Sequence, residues 1–289
     1  MLGVLFALGA LLSWAFGDFF IQKTAKVVGV WKTLFFITIT GFIILFPFVK
    51  DEIKTVFSIE TNIILLGIAI LITLFAALFE FAALKQGKFA IVEPIFGIEL
   101  PIVIGLGIFF RGEQLTPAQI ALALIIFVGI TLAVTVHHTH LYYHKRIFEK
   151  GFILAGLVAI TMGLATFLTG VASQETSPLM SIWVIHGGLA VLSFAYILGE
   201  GSAKTIWRDL KKHANVIIPQ SILDNIAWIC FAFAVTLIPI SLATTISESY
   251  IALCVLLGLW VNKEKIKAHQ KIGIALAVIG VIVLSAITG

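Results

Sequence analysis

The sequence predicts an all-α membrane protein: ten transmembrane helices, arranged as two inverted five-helix repeats around a central cavity. Three observations predict it. Apolar residues make up 60% of the 289-residue chain and charged residues 12%, against roughly 25% charged in a soluble domain. Lys and Arg gather in alternate breaks between the apolar runs. The second half repeats marks of the first, as Glu264 repeats Glu113 at an offset of 151 residues.

A span needs roughly 20 mostly apolar residues. Ten runs qualify, at about 2–21, 30–49, 63–84, 90–110, 117–136, 151–170, 178–199, 216–236, 240–260 and 268–287. The eighth and ninth are parted only by a short uncharged stretch that Pro239 marks. The first run has no basic stretch before it and continues into Trp14 and Asp18, so it reads as a retained helix rather than a cleaved leader. Cys230 and Cys254 lie inside apolar runs and read as packing thiols.

Number the loops between successive runs. Of the 19 Lys and Arg, the odd-numbered loops and their flanks carry sixteen and the even-numbered ones three. That bias predicts odd loops in the cytoplasm and both termini outside. The net charge of +4 then reflects orientation, and no nucleic-acid partner is expected. The expected location is the cell membrane, multi-pass, of the kind a prokaryotic inner membrane provides.

The repeat carries further pairs at the same offset: Gln119 and Gln270, Gly129 and Gly280, Gly107 and Gly258, Ala83 and Ala234. The upstream helices align loosely, as if a short gap were needed. The expected organisation is a first repeat over 1–136, a linker over 137–150 and a second repeat over 151–289. Five helices per repeat turn the second upside down, an arrangement frequent in secondary transporters.

A helix ending near Ala-Leu-Lys-Gln-Gly (83–87) is followed by Glu93 and Pro94, then Gly112 and Glu113, then Gln119 and Gly129. The second half has Lys263, Glu264, Gln270, Gly273 and Gly280. In order, spacing and duplication this resembles the EamA family of the drug/metabolite transporter superfamily, over nearly the whole chain. The resemblance implies two five-helix bundles about a central cavity, alternating access, and a solute drawn from amino acids, sugars, nucleotide-linked metabolites, vitamins or drugs. Two features depart from it. The family habit is both termini inside, whereas the charge bias here puts them outside. Thr244 and Thr245 stand where the first repeat has Glu93 and Pro94.

Charged groups at bilayer depth are costly and point to a water-filled cavity or a buried pair. Counting about 1.5 Å of rise per residue, Glu99, Asp224, Glu248 and His186 fall near the middle of their runs. Asp18, Glu80 and Glu93 fall nearer the cytoplasmic ends. Asp224 and Trp228 share a helix face, as do Trp14 and Asp18. A carboxylate one turn from an indole suits a cationic or amphipathic organic solute. Glu99, Asp224 and Glu248 are expected in one cavity, with His186, Trp228 and Tyr250 on its wall. Ser241, Thr244 and Thr245 share a helix face with Glu248. Pro94 and Pro101 are expected to free carbonyls around Glu99. Glu113 and Glu264 are expected to serve the amides of the helix that follows each. Small pairs such as Ser13 and Gly17, or Gly273 and Ala277, suit close helix packing. His137, His138, His140 and His144, with Tyr142 and Tyr143, form an interfacial anchor or a metal-binding cluster.

No phosphate loop, nucleophile elbow or zinc-hydrolase helix occurs, so no enzyme, cofactor or resident metal is expected. The expected activity is secondary transport of a small polar or amphipathic metabolite (an amino acid, an amine or a drug-like solute) by one chain or a homodimer. The acids permit proton coupling, because a carboxyl at depth can exchange a proton as its surroundings change. The same acids with His186 also suit a divalent metal cation carrier, and the architecture a lipid-linked-sugar flippase.

Overall fold

The computed structural model describes residues 1–86, 97–134, 145–253 and 267–288. These residues form α1 (Leu2–Val28), α2 (Val30–Val49), the short α3 (Ile53–Phe57), α4 (Glu60–Gln86), α5 (Glu99–Arg111), α6 (Pro117–Val134), α7 (Lys145–Glu175), α8 (Pro178–Gly199), α9 (Ile206–Leu237), α10 (Ile240–Ser247) and α11 (Ala268–Thr288), with no strand among them. Seven helical stretches are long and apolar enough to cross a membrane, and the helix over Pro117–Ala133 is a shorter apolar one. The fourth and ninth expected spans run into undescribed segments, so α5 and α10 are their described parts. Glu93, Pro94, Cys254, Glu264 and the histidine cluster at 137–144 lie outside the described residues.

The helices are apolar nearly all round, and only part of each can be packed inside. Phe109 is 86% exposed and Phe110 75%, a surface that a chain in water would bury and lipid accommodates. Local chemistry sets several ends. Gly29, at φ +87°, makes the single-residue corner between α1 and α2, a conformation that glycine takes without Cβ strain. Ser177 accepts the Met180 amide as the N-cap of α8, with Pro178 opening the helix. Gln119 accepts the Thr116 amide at 2.9 Å, and Gln270 accepts the Lys267 amide at 2.9 Å, so both copies of the repeated glutamine close a helix start in the same way. Helix α9 bends at His213, close before Pro219, which cannot supply the amide that the Asn215 carbonyl would take.

Some boundaries differ from expectation. Helix α1 runs to Val28, so the expected break at 22–26 is helical and Asp18 sits close to the helix middle rather than near its end. Helix α7 begins at Lys145, which makes the end of the expected linker helical. Cys230 is half-buried and its Sγ lies against Gly9.

Packing respects the 151-residue offset. Helix α1 packs on α9, and its counterpart α7 packs on α4. Helix α2 packs on its counterpart α8, and α6 on its counterpart α11. Among these eight helices, exchanging the two halves leaves the pattern of partners unchanged. The α6–α11 contact is backbone to backbone: a Cβ on Gly129 would stand 2.6 Å from the Ala277 amide nitrogen, and one on Gly273 would stand 2.6 Å from the Gly129 carbonyl.

Two turns follow the same offset. A turn at residues 97–98 precedes α5, and a turn at 248–249 follows α10 before helix resumes at Tyr250. The register holds here without the gap that the upstream sequence suggested. Pro101 stands in the first turn of α5, and the Gly97 carbonyl, one turn before it, accepts the Leu100 amide at 3.3 Å. Pro101 therefore frees no carbonyl beside Glu99.

Bonds between helix ends sort by loop parity. On one side Gln22 reaches the Leu84 carbonyl, Lys32 reaches Asp209 and Thr205, and Gln270 reaches the Ala133 carbonyl. These join loops 1 and 3, 1 and 7, and 9 and 5. On the other side Ser177 donates to Glu52, Arg111 to Glu175 and Gln174, and Gln174 to the Val235 carbonyl, joining loops 6 and 2, 4 and 6, and 6 and 8.

Candidate functional site

One cavity lies between the two halves. Its walls include Trp14 and Asp18 from α1, Glu80 from α4, Glu99 from α5, His186 from α8, Asp224 and Trp228 from α9, and Glu248 and Tyr250 after α10. Nine of the ten residues singled out in the sequence thus line one space, and the tenth, Glu93, is outside the described residues. The cavity measures about 60 Å³. That holds a few waters and is below the roughly 300 Å³ at which ligand pockets begin.

The polar contacts are few. Thr166 donates to Glu99 at 2.5 Å. The Tyr250 side chain hydrogen-bonds Asp18, and Asp224 lines the same cavity. Trp14 meets Trp228 edge to face at 5.2 Å and Tyr250 at 6.1 Å. Asn225 donates to the Ile37 carbonyl at 3.0 Å and the Ser221 carbonyl at 2.7 Å, which locks α9 to α2. Its Oδ1 and His186 Nδ1 both stand over Gly41, in room that a side chain there would fill.

Lining positions pair across the halves. At the 151-residue offset Asp18 corresponds to Thr169, Asp224 to Thr73, Trp14 to Ala165, Trp228 to Ala77 and Glu99 to Tyr250, and all ten line the cavity. One wall, from α1, α9 and the segment after α10, is acidic and aromatic. The other wall, from α4, α5 and α7, carries threonine and alanine with Glu80 and Glu99. The sequence reading missed Thr73, Thr166 and Thr169. Sliding the acids by the offset would have reached Thr73 and Thr169.

A family model described as the EamA-like transporter family matches residues 1–135 and 149–286. The chain belongs to the EamA-like transporter family. This family is part of the drug/metabolite transporter superfamily, and its members are membrane transporters. Among curated proteins nothing matches. Among solved structures, one described only as a crystal structure of a protein aligns with a TM-score of 0.75. It covers 99% of this chain and 97% of its own at 16% identity, a likeness of fold alone.

Within this EamA-like framework some expected groups serve other ends. Of Ser241, Thr244, Thr245 and Glu248, only Glu248 lines the cavity. The helix stops at Ser247, and Glu248 caps it with its amide on the Thr244 carbonyl at 2.8 Å. Glu113 does not serve the helix that follows it. Its carboxylate accepts the Ile240 amide at 2.5 Å, the Ser241 amide at 3.1 Å and the Ser241 hydroxyl, capping α10 in the other half. Gly107 leaves the space for that carboxylate. Among the described residues no group of three or more His, Cys, Asp or Glu is placed to hold a metal ion.

Proposed function

We propose that this chain is a secondary transporter that moves a small polar or amphipathic metabolite by alternating access. Its ten spans form two inverted repeats, 1–136 and 151–289, about the shared cavity. The carrying observation is that cavity: helices of both halves surround one space and aim Asp18, Glu80, Glu99, Asp224 and Glu248 into it. Inside an apolar bundle such groups are costly unless water, a proton or a cationic solute relieves them. The parity of the helix-end bonds supports two opposite faces, and the exchangeable packing supports rocking of one half against the other. The small cavity volume is consistent with a site that widens toward one face at a time.

Proton coupling follows if one of these acids binds and releases a proton in each cycle. The test is flux into proteoliposomes across panels of amines, amino acids, sugars and drug-like solutes, with and without a pH gradient. Flux that exceeds empty liposomes and responds to the gradient supports the reading. Correctly folded protein that moves no class of solute refutes it.

A further inference from the structure

We infer that the acidic-aromatic wall is a site for the ammonium group of an organic cation, held by Asp224 and Asp18 against the faces of Trp14, Trp228 and Tyr250. The inference rests on the transport reading above and names its substrate class.

Charge is the first argument. The described residues lining the cavity include five carboxylates and neither Lys nor Arg. The ion pairs Lys32–Asp209, Arg111–Glu175 and Arg208–Asp209 all lie at helix ends, and none of them involves Asp18 or Asp224. Asp224 is 7% exposed. Among the described residues no hydrogen bond or ion pair reaches its carboxylate, and Asp18 lines the same cavity. A buried carboxylate without an ion-pair partner is relieved by a proton or by a cation bound beside it. An anionic solute, or the carboxylate end of an amino acid, would meet neither Lys nor Arg among the described residues of this wall.

The aromatic groups decide which cation. Trp14 lies one turn from Asp18, and Trp228 one turn from Asp224. Their rings meet edge to face at 5.2 Å, with Tyr250 6.1 Å from Trp14. Indole and phenol faces attract alkylammonium groups, which carry their charge on an apolar skin. A small metal ion needs several oxygen or nitrogen ligands at short range, and no such group occurs among the described residues. The other wall has Ala77, Ala165, Thr73 and Thr169 at the positions offset by 151 residues from those indoles and acids, and it also carries Glu80 and Glu99.

The test uses the full chain in detergent or lipid nanodiscs and reads equilibrium binding by tryptophan fluorescence and thermal shift. Choline is the probe. Its neutral shape-mimic 3,3-dimethylbutan-1-ol, Mn²⁺ and acetate are the comparisons. Choline should bind and stabilise, and the neutral mimic and acetate should not. Asp224→Asn should weaken choline by about tenfold or more, Trp228→Leu by roughly 2- to 30-fold and Trp228→Phe by less. If Asp224→Asn does not fold, the two Trp228 variants decide. Equal binding of the neutral mimic overturns the inference. So does Mn²⁺ binding that choline fails to displace, or native choline affinity in every variant. Choline binding without flux of any cation keeps the site and sinks the transport reading. Flux of another solute class without choline binding does the reverse.

Discussion

Asp224 and Thr73 stand 151 residues apart in the sequence, and both line the cavity. One is an acid and the other a hydroxyl. Exchanging them is therefore informative. Asp224→Thr should lose most solute affinity. Adding Thr73→Asp should restore part of it, because the carboxylate returns to the cavity on the opposite wall. Trp228 is then no longer one turn away, so recovery should be incomplete. Comparing binding by the native, single and double variants checks this.

Glu113 joins the halves. Glu113→Ala removes the acceptor for two amides and a hydroxyl at the start of α10. Lost caps cost about 0.5–2 kcal/mol, and amides left buried add to that. Thermal unfolding in detergent should show a drop of several degrees for Glu113→Ala and a smaller one for Glu113→Gln. An unchanged midpoint for both would show that water replaces the cap without loss.

The α6–α11 seam leaves no room for a side chain at Gly129 or Gly273. Gly273→Ala should destabilise by about 1–3 kcal/mol, the usual cost of overpacking, because its Cβ would press on the backbone of α6. Gly67→Ala, whose Cβ would meet nothing within 4 Å, is the control and should lose nothing. Fluorescence-detected gel filtration after heating separates the two outcomes.

Orientation follows from the charge bias. In a background lacking both native Cys, Asp51→Cys in loop 2 should react with an impermeant thiol reagent on intact cells, and Lys211→Cys in loop 7 should not. Both positions are exposed. The opposite labelling pattern would give this chain the orientation usual for its family.

How much of this is legible in the sequence? Asp18, Trp14, Asp224 and Trp228 stand out because charge and indole are conspicuous in apolar runs. Their threonine and alanine counterparts do not. In an apolar helix a threonine hydroxyl often returns to a carbonyl one turn back, as Thr38 and Thr161 do here, like Ser193, so its type says little about a cavity. The break after Ser247 is hidden for another reason. Neither Pro nor Gly marks it. Glu113 is recognisable as a helix-end acid, but its partners lie 127 residues on, beyond what local spacing can reach. The family's fold is legible through the order and duplication of weak marks, each ambiguous alone.

The cap that Glu113 places on α10 also sets an order of events during biosynthesis. The carboxylate is synthesised 127 residues before the Ile240 amide it binds, which at roughly 5–20 residues per second is an interval of about 6–25 s. Through that interval the acid waits at the membrane surface while α6, α7, α8 and α9 are made and inserted. When α10 arrives, its first amides meet an acceptor already in position. The first half thus acts as a template on which a helix of the second is finished, and a ribosome that stalls before Ile240 leaves a bundle whose latch has nothing to hold.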